Sequence, residues 1–191
     1  GPLPPLRRLA IWAAFCAASG LAPAALAQSL YDLVTSTPQD GALTLPAGKI
    51  TGRADVAGTL SILGGGESQL SAPEDDAILV LPPGAALSLS GVRLVQEGQS
   101  TMAIYVDGGS LTLADCRIEG AFEVGIYVAS GQVAVRDCAF DGGLFGLQAG
   151  PGAKVTLERI TMTGQSDTAI RTDSAALELT DVTLAGGGQN G

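Results

Sequence analysis

The chain holds 191 residues, 27 of them glycine, with 10 basic residues against 19 acidic ones and no histidine. A net charge of −9 repels the phosphates of nucleic acid, so nucleic acid is not an expected partner. The lack of histidine excludes Ser-His-Asp and Cys-His centres and every His-ligated metal.

From the N-terminus, Arg7 and Arg8 precede an apolar stretch from Leu9 to Ala27 that closes on Ala25-Leu26-Ala27. A basic start, a short apolar run and an A-x-A site predict a secretory signal peptide over 1–27. Its removal takes away Cys16 and the two arginines and leaves positions 28–191, with eight basic against 19 acidic side chains and a net charge of −11. The mature protein is then secreted or periplasmic, and no membrane association is expected after cleavage. Residues 28–41 form the next unit, an N-terminal cap. Ser29 and Asp32 have capping-box spacing, and Leu30, Leu33 and Val34 make one apolar stripe on a short helix.

From residue 42 to 191 the chain is built on one phrase. An apolar pair two residues apart is followed by a bend residue, a second such pair, and glycine. It reads Leu111, Leu113, Asp115, Cys116, Ile118, Gly120, then Val133, Val135, Asp137, Cys138, Phe140, Gly142. It returns at the same interval as Val155, Leu157, Arg159, Ile160, Met162, Gly164 and as Leu177, Leu179, Asp181, Val182, Leu184, Gly186. An earlier copy at Leu87, Leu89, Gly91, Val92 and Leu94 precedes the first at a slightly longer interval. A fixed period of about 22 residues per coil means a solenoid, whose repeats bury their apolar faces by stacking.

Within the phrase apolar and polar residues alternate, as in Val155-Thr156-Leu157-Glu158, which is the pattern of a half-buried strand. A second alternating segment follows each glycine: Ile104-Tyr105-Val106, Ile126-Tyr127-Val128, Leu147-Gln148-Ala149, Ile170-Arg171-Thr172. Three short strands per turn, pairing in parallel about 4.8 Å apart, make an all-β, single-stranded parallel β-helix. Leucine-rich repeats share the period, but no helical periodicity appears between Leu87 and Gly186. The chain stops within the phrase, at Gly186-Gly187-Gly188-Gln189-Asn190-Gly191, so the β-helix is expected to be truncated at its C-terminus.

The phrase resembles the right-handed parallel β-helix repeat of the pectin-lyase-like superfamily over Leu87–Gly186, and more loosely from Leu43 onward. Gly41-Ala42-Leu43-Thr44-Leu45-Pro46-Ala47-Gly48-Lys49 is similar to that family's opening coil, and Leu60-Ser61-Ile62-Leu63-Gly64-Gly65-Gly66 to the next. The resemblance implies a right-handed coil and a glycan groove on the strand after each glycine. The family's catalytic motifs do not map onto this chain residue by residue.

Core and turn chemistry absorb several polar residues. Cys116 and Cys138 occupy the inward slot that Val92, Ile160 and Val182 hold elsewhere, so they read as small apolar fillers. A disulfide between adjacent coils is the other reading. Asp115, Asp137 and Asp181 stand where Gly91 stands, at a bend that asks for left-handed backbone. Asp115 and Asp137 repel at that spacing, and Arg93, Arg117 and Arg136 are near enough in sequence to relieve it. No P-loop, dinucleotide fingerprint, EF-hand or RTX spacing occurs.

The outward residues of the strand after each glycine remain. They are expected to stack as Leu79, Tyr105, Tyr127, Gln148 and Arg171. Two tyrosines suit a sugar ring, and Arg171 suits a carboxylate; equally, stacked tyrosines stabilise a parallel sheet without any ligand. Tyr105, Tyr127, Gln148 and Arg171 are therefore the candidate ligand-binding residues, and polysaccharide or cell-surface glycan is the candidate partner. Glu123 and Asp167 before the strand, and Asp107 and Asp173 after it, complete the list of weak catalytic candidates with Arg171. They are also hard oxygen ligands for a Ca²⁺ that would reconcile an acidic wall with a uronate. A lyase of the family's type uses Ca²⁺ with an arginine or lysine base, whereas a hydrolase needs carboxylates ~5–9.5 Å apart, which Asp107 with Glu123, or Asp167 with Asp173, would have to supply. The expectation is a secreted protein that binds or processes a polysaccharide; the alternative is a non-catalytic, adhesin-like rod.

Overall fold

The computed structural model describes residues 29–186 apart from Glu74. The expected signal peptide, Cys16 and residues 187–191 lie outside the described residues. One helix, α1 (Leu30–Thr35), leads into β1 (Gly41–Thr44), β2 (Gly48–Thr51), β3 (Ala54–Asp55), β4 (Thr59–Ser71), β5 (Leu79–Leu81) and β6 (Ala86–Gln96). Then come β7 (Met102–Ala114), β8 (Arg117–Gly120), β9 (Val124–Gly142), β10 (Phe145–Ala149), β11 (Ala153–Thr163), β12 (Thr168–Thr172) and β13 (Ala176–Ala185). Strand pairs from neighbouring coils are parallel, which is the expected solenoid.

Three inward columns fill the coil. The first runs Leu43, Ile62, Leu89, Leu113, Val135, Leu157, Leu179, each in register with the next. The second runs Ile50, Leu70, Leu94, Ile118, Phe140, Met162, Leu184. The third runs Ala54, Leu79, Ile104, Ile126, Leu147, Ile170. Each fully buried aliphatic contributes roughly 1.5–3 kcal/mol over an exposed one. The last rung is only partly covered: Leu179 is 47% and Leu184 46% exposed, while Leu157 and Met162 directly before them are fully buried.

At the other end α1 closes the coil. Ser29 caps it, its Oγ accepting from the Asp32 N–H at 3.1 Å. Leu30, Leu33 and Val34 are buried in the same apolar cluster as the columns, as their spacing predicts.

The bend is left-handed at every copy: φ is 71° at Gly91, 53° at Asp115 and Asp137, 54° at Arg159 and 52° at Asp181. That turn resets the alternation, so Ile160 and Met162 point inward after Val155 and Leu157. The closing glycine is also conformational: Gly120 has φ 131°, and a Cβ there would run into the Gln96 carbonyl oxygen. Buried glutamines pin the turns that lead into the outer strand. Gln96 Nε2 donates to the Asp76 carbonyl at 2.7 Å and the Met102 carbonyl at 3.1 Å, while its Oε1 accepts from Ala72 N. Gln165 Nε2 donates to the carbonyls of Thr163 at 2.8 Å and Gly142 at 3.1 Å.

Cys116 and Cys138 are free thiols, buried on adjacent coils. Each Sγ donates to a nearby carbonyl, of Ala114 and Arg136 respectively, and the Cys116 N–H donates to Cys138 Sγ at 3.4 Å. The hydrogen bond with Cys116, with burial behind it, pushes the Cys138 thiol far above its ordinary range.

Candidate functional site

The outer strand of each coil has β geometry, so alternate residues face solvent. Successive coils bring these into register as Val80, Tyr105, Tyr127, Gln148 and Arg171. The four expected ligand-binding residues thus form one line along the coil axis. Its first member is not the one expected: Leu79 is fully buried and pairs with Ile104, and Val80 takes the outward place. A slip of one residue inverts a strand's faces. Here Leu79-Val80-Leu81, with both leucines buried, is the segment equivalent to Ile104-Tyr105-Val106.

Tyr105 and Tyr127 stand with ring centroids 5.5 Å apart and planes tilted by 33°. This is within contact range for an aromatic pair and leaves both rings half-buried. Burial, and then the nearby charge of Asp107, raises the Tyr105 phenol above its usual range, so it remains a hydroxyl donor at neutral pH. Beside Tyr105 and Val80 lies a recess of about 270 Å³, lined also by Arg53, Asp75, Ser100 and Met102.

Arg171 ends the line. Its guanidinium carbon lies 5.3 Å from the centroid of Phe145, a cation–π stack that fixes an otherwise loose side chain. Phe145 is buried at the start of β10, in register with Val124 and Thr168. The repeat phrase does not single it out; its signal is an aromatic standing where neighbouring coils hold aliphatic and hydroxyl side chains.

The other described arginines all have carboxylate partners. Arg53 meets Asp55 at 2.9 Å, Arg93 meets Glu119 at 2.8 Å, and Arg117 meets Glu119 at 3.3 Å. Asp137 receives Arg159 at 2.6 Å and Arg136 at 3.8 Å. Relief of the bend aspartate thus comes chiefly from Arg159, itself a bend residue one coil on. Arg171 is the one described arginine with no carboxylate at ion-pair distance.

The acidic candidates flank the line, and neither expected pair, Asp107 with Glu123 or Asp167 with Asp173, comes together. Glu123 lies beside Thr101, its N–H on the Thr101 carbonyl at 2.9 Å, and Thr101 stands six residues before Asp107. Asp167 and Asp173 bracket β12, again six residues apart. Six extended residues span about 20 Å, well beyond the separation a two-carboxylate hydrolysis needs. Asp167 Oδ1 accepts from the Thr168 hydroxyl at 2.7 Å, and Asp173 Oδ1 from the Ser174 hydroxyl at 3.4 Å. Among the described residues no three acidic or thiol side chains gather to hold a metal ion.

A larger concavity, about 510 Å³, follows the turn residues Gly120, Gly142, Gly143 and Gly164 beside Leu144, and its lining carries no charged side chain. It has shape but little chemistry. No known protein family matches the chain, nor does any curated protein or solved structure.

Proposed function

We propose that this is a secreted β-helix protein of the pectin-lyase-like type that binds a polysaccharide along the outer face of one parallel sheet. The observation that carries the reading is the line itself: two adjacent tyrosines, an amide and an unpaired arginine at successive rungs. Such a line offers flat apolar faces for sugar rings and donors for hydroxyls and carboxylates. Binding is favoured over bond cleavage because each pair that would have to serve a hydrolysis, Asp107 with Glu123 and Asp167 with Asp173, is split between opposite ends of the strand.

An oligosaccharide array tests this. Tyr105→Ala combined with Tyr127→Ala should lower the bound signal about tenfold or more, as expected for losing two aromatic platforms, while the melting curve shows a folded protein. Equal signals from wild type and the folded double variant would remove the proposal. The rod reading draws on a different feature: three residues connect β8 to β9, β10 to β11 and β12 to β13, so these turns project little from the wall. A wild-type protein that binds no glycan on the array favours the rod.

A further inference from the structure

We infer that the ligand of this face is a glycan with a neutral stretch and a single carboxylate, laid along the coil axis with its neutral rings on Tyr105 and Tyr127 and its carboxylate on Arg171. The inference rests on the glycan reading above and narrows its chemistry.

The order of the line is the first ground. Val80, Tyr105 and Tyr127 are apolar or amphipathic, Gln148 is a neutral amide, and only the last rung carries charge. Tyr105 and Arg171 stand three rungs apart, about 14 Å at the spacing of paired strands. A pyranose in an extended chain advances by roughly one rung, so a short oligosaccharide spans the distance with a ring on each step. The recess beside Tyr105 gives the neutral end a seat. Arg53, which borders that recess, already has Asp55 at 2.9 Å and Asp76 at 3.9 Å, so it does not present a second unmatched cation.

Charge compensation is the second ground. The other described arginines are matched to carboxylates of this chain, whereas Arg171 lies over the Phe145 ring with none at ion-pair distance. A guanidinium fixed in this way retains its donors for an external carboxylate, which it can take in a bidentate fork. The flanks decide how many acids the ligand carries. Asp107, Glu123 and Asp173 are exposed beside the line, and a homopolymer of uronic acid would set a carboxylate near them at each step. One acid at the arginine end avoids Asp107 and Glu123, and leaves only Asp173, two residues after Arg171, for the guanidinium to offset.

The test is an array bearing neutral oligosaccharides, the same chains with one uronic acid, and homo-oligouronates, read at low salt. Wild-type signal should be highest on the singly acidic chains, about tenfold above their neutral parents. Arg171→Gln should abolish the preference, bringing the singly acidic spots level with their neutral parents. Arg171→Lys, which keeps charge without the fork, should fall between, and it serves in place of the glutamine variant if that does not fold. Equal signals on neutral and singly acidic chains, dominance of the homo-oligouronates, or indifference to both Arg171 variants would overturn the inference. If neutral spots still depend on the two tyrosines in those cases, the glycan reading survives. Absence of wild-type binding to any spot removes both.

Discussion

Two lines of outward residues run along this coil, and they solve the same problem differently. At the bend, Gly91, Asp115, Asp137, Arg159 and Asp181 hold left-handed backbone. On the outer strand, Val80, Tyr105, Tyr127, Gln148 and Arg171 hold extended backbone. Stacking at one rung of spacing forces like side chains together in both. The bend compensates charge from within at Asp137: Arg159 bonds its carboxylate in a fork, Nε to Oδ1 at 2.6 Å and Nη2 to Oδ2 at 3.0 Å. The strand line leaves its only charge uncompensated and rests it on an aromatic ring. A solenoid repeats its structural solutions, so a cation held on an aromatic ring, where every other described arginine meets a carboxylate, is where an outside partner has something to meet.

The largest effect should come one residue from the bend, where outside becomes inside. Asp is native at 115 on the surface, but Cys116→Asp would place the same group in the buried column with no partner. We expect a loss of about 3–5 kcal/mol, visible as collapse of the melting transition, while Cys116→Val, the residue type at 92 and 182, should stay close to wild type. An unchanged melt for Cys116→Asp would break the inward assignment of the whole column.

Next comes the bend backbone itself. Asp115→Val puts a β-branched residue at φ 53°, which should cost about 1–3 kcal/mol of stability. Asp115→Gly reproduces the Gly91 solution and should cost little. On the strand line a comparable change, Tyr127→Val, should cost less than the bend change, because extended backbone accepts valine readily and only the ring contact with Tyr105 is lost. Equal melting shifts for the two valine variants would erase the distinction between bend and strand.

Much of this is legible in the sequence because the alternation of two, reset by a bend and closed by a glycine, assigns each side chain to a face. Counting works where the repeat is strict: Val135, Leu157 and Leu179 are register partners, each one unvarying period after the last. Toward the N-terminus the same column steps unevenly, from Leu43 to Ile62, then by longer and unequal strides to Leu89 and Leu113. The register also shifts between Leu63 and Ser68, around the glycine run. With no fixed period to count from, the sequence places Leu79 on the wrong face. The order of Tyr105, Tyr127, Gln148 and Arg171 follows from the same counting. The seat of Arg171 on Phe145 and the fork of Arg159 on Asp137 do not, because they depend on how long side chains reach across rungs. The acidic candidates are a different case: closeness in sequence suggests pairs, yet a strand between two residues holds them apart.

The smallest expected effects separate the two lines by pH. Arg159, through its hydrogen bonds and charge, holds the Asp137 carboxyl below its usual range, and Arg93 does the same for Glu119. A carboxyl lowered on folding stabilises the fold above its unfolded value, near 4. That contribution is lost as pH falls through the folded one. The strand line responds at the opposite extreme. Tyr105, raised by burial, favours the folded state while protonated, and its contribution disappears as pH rises past about 10. Melting temperature measured against pH should therefore decline at both ends. Asp137→Asn should flatten the acid limb and leave the alkaline one alone; Tyr105→Phe should do the reverse. High salt should weaken the exposed Asp137–Arg159 contribution first, since water and ions screen it directly. An acid limb unaffected by Asp137→Asn would mean that the bend's ion pairs hold charge in place without stabilising the coil, and the contrast between the two lines would then rest on backbone conformation alone.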